Sequence, residues 1–233
     1  MLGLIGAMPE ETAQLAEALE ERKLTERAGL RIYRGILKGV PAVVTCAGVG
    51  KVNAALCAQI LISEFQVDTL INTGVAGGVA PEVRQGDVVI STDAMYHDFD
   101  STPLGMQLGE IAYMERSVFP ADERLRDLAL DACRRLLPEG RYHQGRIVTG
   151  DQFINSREKQ QWLYQTFGAA CTEMEGAAIA HVAYLNQVPF LILRSISDGA
   201  DDSSAGDYQS FKSQAIQIGV DILMDLLANG VGT

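Results

Sequence analysis

The stretch that decides the fold is ACTEMEGAAIAHVAYLNQVPFLILRSISD, residues 170–198. Its β-prone start leads into Glu173-Met174-Glu175, and small and apolar residues at helical spacing then predict a helix over residues 176–186. After a proline, the apolar run from Phe190 to Ile196 predicts a strand that is buried on both faces. The sequence therefore predicts a β-α-β unit and an α/β fold.

Carboxylates lie at the carboxyl ends of both strands of this unit. Ligands of α/β proteins collect at these ends, and a buried carboxylate costs desolvation unless a partner or a ligand uses it. A structural explanation exists for each residue alone, since Glu175 suits the first turn of a helix and Asp198 suits a loop. Taken together, Glu173, Glu175 and Asp198 favour a binding or catalytic site.

Length and charge restrict the classes of function. The 233 residues are 47% hydrophobic and 21% charged, which predicts one domain over residues 1–233. The net charge of −11 argues against a nucleic-acid partner, because such proteins neutralise phosphates with clustered Lys and Arg. No apolar run has the length of a membrane span, and the N-terminus carries acids where a signal peptide has basic residues. We expect no membrane association and a cytoplasmic location.

Cysteine and histidine usage gives no sign of a metal. Four cysteines lie far apart without a Cys-x-x-Cys pair, so they are predicted to be reduced and buried. The sequence His97-Asp98-Phe99-Asp100 has one histidine and no second cluster at metal-ligand spacing, which favours a polar loop.

The N-terminus predicts a strand over Leu2 to Ile5, a turn at Gly6 and a helix from Pro9 to about Glu21. Glu10 and Glu11 fall in the first turn, where the helix dipole favours negative charge. That explanation is sufficient for Glu10. Glu11 has a second interpretation, because Gly6-Ala7-Met8 allows a ligand to approach the backbone at the strand end.

Periodicity predicts the other elements. They are a hairpin of residues 31–37 and 41–47, helices over residues 52–64 and 122–137, strands over residues 69–73, 87–94 and 142–149, and a last helix that Asp207 caps and Gly230 ends. Gly48-Val49-Gly50 is too short for a nucleotide-binding fingerprint and predicts a tight turn. Gly74 to Gly78 predicts a flat surface against which a ligand could lie.

Two further features bear on function. Phe153, after the strand of residues 142–149, is either a base-stacking ring or a core residue. The irregular stretch from Tyr96 to Pro120 is longer than ordinary connections and contains seven large apolar residues, Phe99, Leu104, Met106, Leu108, Ile111, Met114 and Phe119. Exposed apolar residues in this number favour a homodimer that buries them.

Several blocks resemble a known family. They are GLIGAMPEE (residues 3–11), GVGKVNAA (48–55), NTGVAGG (72–78), GDQFIN (150–155), Glu173-Met174-Glu175 and RSISD (194–198). In this order they are similar to the 5′-methylthioadenosine/S-adenosylhomocysteine nucleosidases of the purine nucleoside phosphorylase superfamily. The resemblance implies a three-layer α/β/α domain around a mixed sheet, a homodimer, no cofactor, and hydrolysis of an adenine nucleoside to adenine and a thioribose.

The resemblance also implies roles for individual residues. Asp198 would protonate the departing adenine, Glu11 would activate the attacking water with help from Arg194, and Glu175 would bind the ribose hydroxyls. The predicted substrate-binding residues are Met8, Val49, Val75, Gly77, Phe153, Ile154, Glu173, Met174 and Tyr208. Val75 stands where many members have Ser, and Tyr208 stands where an apolar aromatic residue is common.

Two other functions stay open at this point. A phosphorylase of the same superfamily would need cations for phosphate, yet residues 6–11 and 74–79 contain none, and Glu11 would repel the anion. A catalytically silent adenosine-binding module would not need three carboxylates. Both considerations favour the hydrolase.

Overall fold

The computed structural model of the chain describes residues 1–230. This part of the chain has ten strands: β1 (Leu2–Gly6), β2 (Glu20–Arg27), β3 (Leu30–Leu37), β4 (Val40–Cys46), β5 (Thr69–Gly78), β6 (Val88–Tyr96), β7 (Phe119–Pro120), β8 (Tyr142–Thr149), β9 (Ala169–Glu173) and β10 (Phe190–Asp198). Its α-helices are α1 (Pro9–Glu17), α2 (Lys51–Phe65), α3 (Glu123–Leu136), α4 (Arg157–Phe167), α5 (Gly176–Asn186) and α6 (Ser204–Asn229).

All of these strands belong to one mixed sheet. Its order is β10-β6-β8-β9-β5-β1-β4-β3-β2, with β7 paired to β6. The long strand β5 also pairs with β10 in parallel, while its last residues, Gly77 and Gly78, pair antiparallel with β9. Strands β5, β10, β6, β8 and β9 therefore close into a ring, and the strand ends that carry Glu173 and Asp198 meet beside β5.

Helices cover both faces of the sheet. Gly219 of α6 lies against Ser195 of β10, whereas Gly176 of α5 lies against Ile192 of the same strand. Because successive side chains of a strand point to opposite faces, α5 and α6 cover opposite sides. Helices α1 and α3 pack against α6, and α2 packs against α5. The predicted α/β class, three-layer with a mixed central sheet, is confirmed.

The predicted β-α-β unit is present with nearly the expected bounds. Every residue of β9 and β10 is buried, and α5 begins and ends at the predicted residues. The small residues of α5 allow it to pack closely on the sheet and on α2. The prediction of one domain over residues 1–233 extends beyond the described part of the chain and stays a prediction.

Some predicted bounds were wrong. Helix α1 ends at Glu17 instead of about Glu21, because the chain turns into the strand β2, which the sequence pattern did not indicate. The strand predicted over residues 69–73 continues to Gly78 as β5, so the glycine-rich segment belongs to this strand. Asp207 does not cap the last helix: α6 begins at Ser204, and Asp207 accepts a hydrogen bond from Ser203 within its first turn.

Other observations concern the connecting segments. Helix α4 was not predicted, and the long segment after β6 contains a short 3₁₀ turn at Thr102–Leu104. Phe119 is fully buried, so the prediction of exposure was wrong for that residue, whereas Leu104 is 66% exposed. Within residues 1–230, no helix is long and apolar enough to cross a membrane. All four cysteines are free, and three of them are buried.

Candidate active site

A cavity of about 230 Å³ lies where β1, β5, β9 and β10 end. Its wall contains twelve of the thirteen residues predicted for the site, all except Arg194. The lining residues are Ala7, Met8, Glu11, Val49, Val75, Ala76, Gly77, Gln152, Phe153, Ile154, Thr172, Glu173, Met174, Glu175, Ser197, Asp198 and Tyr208. The fold thus brings together residues that are up to 200 positions apart in sequence.

Glu11 is a buried carboxylate in the first turn of α1. Its Oε2 accepts hydrogen bonds from the backbone N–H of Ala7 at 2.7 Å and of Met8 at 2.9 Å. Its Oε1 accepts from the N–H of Val75 on β5 at 3.0 Å. The side chain therefore stabilises the helix start, as the structural explanation predicted, and is also held rigidly at the cavity wall, where it could polarise a water molecule.

Asp198 ends β10 and is 3% exposed. Its carboxyl group accepts hydrogen bonds from the Ser197 hydroxyl at 2.8 Å and from the backbone N–H of Ala200 at 2.9 Å. Burial raises the pKa of Asp198 in spite of these two donors. A raised pKa favours the protonated form of a carboxyl group, which is the form that a general acid requires.

Glu173 and Glu175 flank the turn between β9 and α5, but they have different surroundings. Glu173 accepts hydrogen bonds from the Thr149 hydroxyl and from the N–H of Gly176, and it forms an ion pair with Arg194. Glu175 accepts from the N–H of Gly50 at 2.9 Å, and burial followed by the Glu173 charge raises its pKa to about 7. Glu173 is thus saturated with protein partners, whereas Glu175 still offers an oxygen to a ligand.

Arg194 lies behind the cavity wall and is 1% exposed. Its Nη2 donates to Oδ1 of Asn72 at 2.5 Å and to Glu173, and it lies 3.7 Å from Oε2 of Glu175. The guanidinium therefore compensates the charge of two buried carboxylates. Any effect of Arg194 on a bound water would be transmitted through its neighbours, because it does not line the cavity.

Strand β5 approaches these charges closely because it lacks side chains there. A Cβ at Gly74 would overlap Nη1 of Arg194 and lie 2.5 Å from Oε1 of Glu11. A Cβ at Gly77 would lie 3.1 Å from Oδ1 of Asp198. The glycine-rich segment thus provides room for the carboxylates and the guanidinium, and it leaves backbone exposed to a ligand, as the sequence predicted.

The mouth of the cavity is apolar and partly exposed. Val49 is 49% exposed and Phe153 is 48% exposed. The Phe153 ring meets the Tyr208 ring edge to face at 5.7 Å, and the Tyr208 hydroxyl donates to Sδ of Met8 at 3.1 Å. Phe153 is therefore a wall residue and not a core residue, and Ile154 beside it is buried.

Comparison with known proteins agrees with this architecture. A sequence model of the phosphorylase superfamily matches residues 1–228. The chain is 41% identical over 215 residues to the 5′-methylthioadenosine/S-adenosylhomocysteine nucleosidase of an Exiguobacterium species, and the match covers 92% of this chain and 91% of that protein. The chain belongs to this nucleosidase family.

Solved structures of nucleosidases have the same fold. A Neisseria meningitidis nucleosidase in complex with methylthio-immucillin-A superimposes with a TM-score of 0.93 at 34% identity, covering 97% of this chain and 98% of that one. A Streptococcus pyogenes S-adenosylhomocysteine nucleosidase in complex with 5-methylthiotubericidin has a TM-score of 0.94 at 30% identity, covering 99% and 97%. The similarity to the nucleosidase fold therefore extends over nearly the whole chain.

Two positions were assigned no role from sequence, although the nucleosidase site depends on them. Asn72 on β5 binds Arg194 and donates from Nδ2 to the carbonyl oxygen of Ile5 at 2.9 Å. The Thr149 hydroxyl, at the end of β8, donates to Glu173 and accepts from the N–H of Ala177 at 2.7 Å. A neutral polar residue inside an otherwise apolar strand is the signal that could have identified them.

In residues 1–230, no group of three or more His, Cys, Asp or Glu side chains has the arrangement of a metal site. Within this described part, the guanidinium of Arg194 lies against the carboxylates of Glu173 and Glu175 and is paired with them.

Proposed function

We propose that this protein hydrolyses the N-glycosidic bond of 5′-methylthioadenosine and S-adenosylhomocysteine and releases adenine and the thioribose. Membership of the nucleosidase family supports the reaction. The observation that carries the proposal is the convergence of the Glu11, Glu175 and Asp198 carboxylates on one cavity. Cleavage of a ribosyl bond passes through a cation-like sugar, and such an arrangement provides an acid, a base and a negative field.

Asp198 acts as the general acid in this proposal. Adenine leaves readily only after protonation, and burial, which raises the pKa of Asp198, favours the protonated form of that carboxyl group. Ser197 and the Ala200 N–H hold the group in one orientation. The adenine ring lies between Phe153 and Ile154, with the backbone of Gly77 along its edge.

Glu11 acts as the base that activates water. Three backbone donors fix its carboxylate at the cavity wall beside Gly74, whose missing side chain leaves room for Glu11 and Arg194. Arg194 is a positioning residue, because it sets the orientation and charge of Glu173 and Glu175 from behind the wall.

Glu175 binds the ribose hydroxyls in this proposal, with Met174 beside it. Glu175 lines the cavity, and the charge of its carboxylate also stabilises the cationic sugar. Glu173 supports the turn that presents both residues. The 5′ substituent then extends towards the mouth formed by Met8, Val49 and Tyr208, while Val75 lines the sugar.

Water is a better nucleophile than phosphate at this site. Among residues 1–230, the lining of the cavity contains no Lys, Arg or His. A phosphate dianion would also be repelled by the buried carboxylate of Glu11, which lines the cavity. A phosphorylase of the same superfamily is therefore disfavoured.

A homodimer in the cytoplasm completes the proposal. Val52 is 79% exposed and Leu56 is 44% exposed, one turn apart on α2 and next to the cavity loop that contains Val49. Leu104 and Tyr113 of the long segment after β6 are also exposed. Burying these apolar surfaces against a second chain is the ordinary solution. The free cysteines agree with a reducing compartment.

Adenine release from 5′-methylthioadenosine and from S-adenosylhomocysteine tests the proposal. The purified wild-type protein should release adenine from both substrates, and Glu11→Gln should release it at least about 100-fold more slowly, on the usual scale for a general base. Glu10→Gln, which alters the exposed neighbour, is the matched control and should remain active. Binding without turnover by the wild type would instead support the adenosine-binding module.

A further inference from the structure

A cluster of charged side chains joins three loops around the cavity, and none of the roles above uses it. Lys51 begins α2, Asp98 follows β6, and Asp151 follows β8. The Lys51 ammonium donates to both carboxylate oxygens of Asp98 at 2.7 Å and lies 3.6 Å from Oδ2 of Asp151. We call these three residues the loop triad.

The loop triad also binds the backbone of its own loops. Oδ2 of Asp98 accepts from the N–H of Asp151 at 2.9 Å, and Oδ1 of Asp151 accepts from the N–H of Lys51 at 2.9 Å. Burial alone would raise the pKa of Asp98, but the hydrogen bonds from Lys51 and Asp151 outweigh it and lower that pKa. Asp98 is therefore ionised at neutral pH, and its side chain is only 14% exposed.

The loop triad is connected to Glu175 through one residue. Gly50 precedes Lys51, has φ +97°, and donates its N–H to Oε1 of Glu175 at 2.9 Å. A Cβ at Gly50 would lie 3.1 Å from Oδ1 of Asp151. The absence of a side chain thus lets the Gly50 backbone fit between the loop triad and the carboxylate.

We propose that Asp98 and Lys51 are positioning residues for the sugar-binding carboxylate, because they hold the Gly50 N–H against Glu175. This inference rests on the proposed function, in which Glu175 binds the ribose hydroxyls. Neither Asp98 nor Lys51 lines the cavity, so they act through Gly50. Small displacements of a positioning group reduce catalysis strongly, because the bound sugar must stay aligned with the acid and the water.

A weaker hydrogen bond from Gly50 to Glu175 should also change the pH dependence of kcat/KM. Glu175 is faced by Glu173 from β9, by Arg194 from β10, by Glu11 from α1 and by the Cys46 thiol from β4. Those four groups stay in place when the loop triad is broken. The Gly50 N–H lowers the pKa of Glu175, so a weaker hydrogen bond raises that pKa, and activity is lost at a higher pH on acidification.

The test compares Asp98→Asn, Lys51→Met and Lys51→Arg with the wild type on 5′-methylthioadenosine. We expect kcat/KM of the first two variants to fall about tenfold, mainly through a higher KM, which is the scale of one lost charge-assisted hydrogen bond. The midpoint of the acid limb of kcat/KM should move to higher pH. Lys51→Arg keeps the positive charge and should retain most of the wild-type KM.

A matched ion pair provides the control. Asp93 and Arg146 are 19% and 30% exposed, close to the values of Asp98 and Lys51, and they do not line the cavity. Asp93→Asn should keep the wild-type KM and acid midpoint. The proposal is overturned if Asp98→Asn loses thermal stability while KM and the midpoint stay unchanged.

Three further outcomes are informative. If Asp98→Asn does not fold, Lys51→Met provides the same two readouts, since it removes only the ammonium and leaves the backbone hydrogen bonds of both aspartates. If the wild-type protein releases no adenine, the proposed function fails. If the wild type is active and neither variant changes KM or midpoint, only the positioning role of the loop triad fails.

Discussion

Asp198 and Glu175 are both buried carboxyl groups with raised pKa values, yet the reaction needs them in opposite protonation states. Burial raises the pKa of Asp198, although the Ala200 N–H and the hydroxyls of Ser197 and Ser204 lower it. Burial and the Glu173 charge raise the pKa of Glu175 to about 7, while the Arg194 guanidinium at 3.7 Å and the Gly50 N–H lower it. Their different neighbours separate an acid from a hydroxyl acceptor.

Asp198→Asn should lower kcat on 5′-methylthioadenosine by roughly 10²- to 10⁴-fold, because the amide can donate a hydrogen bond to adenine but cannot transfer a proton. Affinity for adenine, measured by calorimetry, should change much less. Asp202→Asn, on the exposed loop that follows, is the control and should remain active. Near-wild-type turnover of Asp198→Asn would assign the proton to another residue.

Glu175→Gln should change the thermal stability in a pH-dependent way and should abolish adenine release. Its pKa is raised from 4.5 to about 7, so the stability contributed by the protonated form is fully present below pH 4.5 and is lost as the pH rises through 7. Ionisation therefore costs about 3 kcal/mol in the ligand-free protein at pH 8. The Tm of Glu175→Gln minus that of the wild type should increase from pH 5 to pH 8, while adenine release is lost.

The exposed Glu64 offers a comparison for this stability test. Glu64→Gln changes an exposed side chain in an ion pair with Arg27, so its Tm difference from the wild type should vary much less over the same pH range. A Tm difference for Glu175→Gln that does not change with pH would show that Glu175 ionises without cost in the folded protein.

At the scale of elements, β5 is the strand on which the site depends. It pairs with β1, β10 and β9, and its glycines leave space for Glu11 and Arg194. Gly74→Ala would place a Cβ against both charged side chains, and neither is a flexible end in open space. We expect this variant to lose both activity and several degrees of Tm, measured by adenine release and calorimetry.

A second glycine supplies the control for that experiment. Gly206, in the first turn of α6, has open space around its ideal Cβ position, so Gly206→Ala should keep full activity and a Tm at least equal to that of the wild type. If Gly74→Ala were as stable and active as Gly206→Ala, the close approach of β5 to Glu11 and Arg194 would not be needed for activity.

The sequence predicted some of the strands and helices and missed others. The β-α-β unit of β9, α5 and β10 was predicted because β10 begins with the apolar run Phe190 to Leu193 and α5 is rich in small residues at helical spacing. Strand β2 was missed because it is a polar edge strand, EERKLTER, with seven of its eight residues exposed. Helix α4 was missed because only Leu163 and Phe167 are buried, which is too few for a periodic signal.

Site residues were more predictable than the contacts between them. Carboxylates at strand ends and a recognisable set of blocks identified the wall of the cavity. The partners of Arg194 and the hydrogen bond from Gly50 to Glu175 depend on the closure of the sheet through β5 and on loop contacts. The contacts of Arg194 with Asn72 and of Gly50 with Glu175 join residues more than 100 positions apart, and no local pattern indicates them.

At the scale of the whole molecule, the long segment after β6 and the exposed face of α2 predict a homodimer. Sedimentation at micromolar concentration should give a dimer, and Val52→Glu should weaken it because a charge would be buried at the interface. On dilution to monomer, KM should rise more for 5′-methylthioadenosine than for adenosine, since the segment would close the 5′ end of the partner's cavity.

Leu24 provides the matched control for the dimer. It is 46% exposed on the outer strand β2, so Leu24→Glu should leave the sedimentation coefficient unchanged. A wild-type monomer at micromolar concentration with full activity on 5′-methylthioadenosine would contradict the shared cavity.

In the proposed reaction, water and not phosphate attacks the sugar at the Glu11 side of the cavity. The most direct measurement is the rate of adenine release from 5′-methylthioadenosine in phosphate-free buffer and in buffer with phosphate, together with identification of the sugar product. We expect equal rates of adenine release and a free thioribose in both buffers, because Glu11 repels an anion and no cation lines the cavity wall in residues 1–230. A rate that depends on phosphate, with a thioribose 1-phosphate as product, would contradict it.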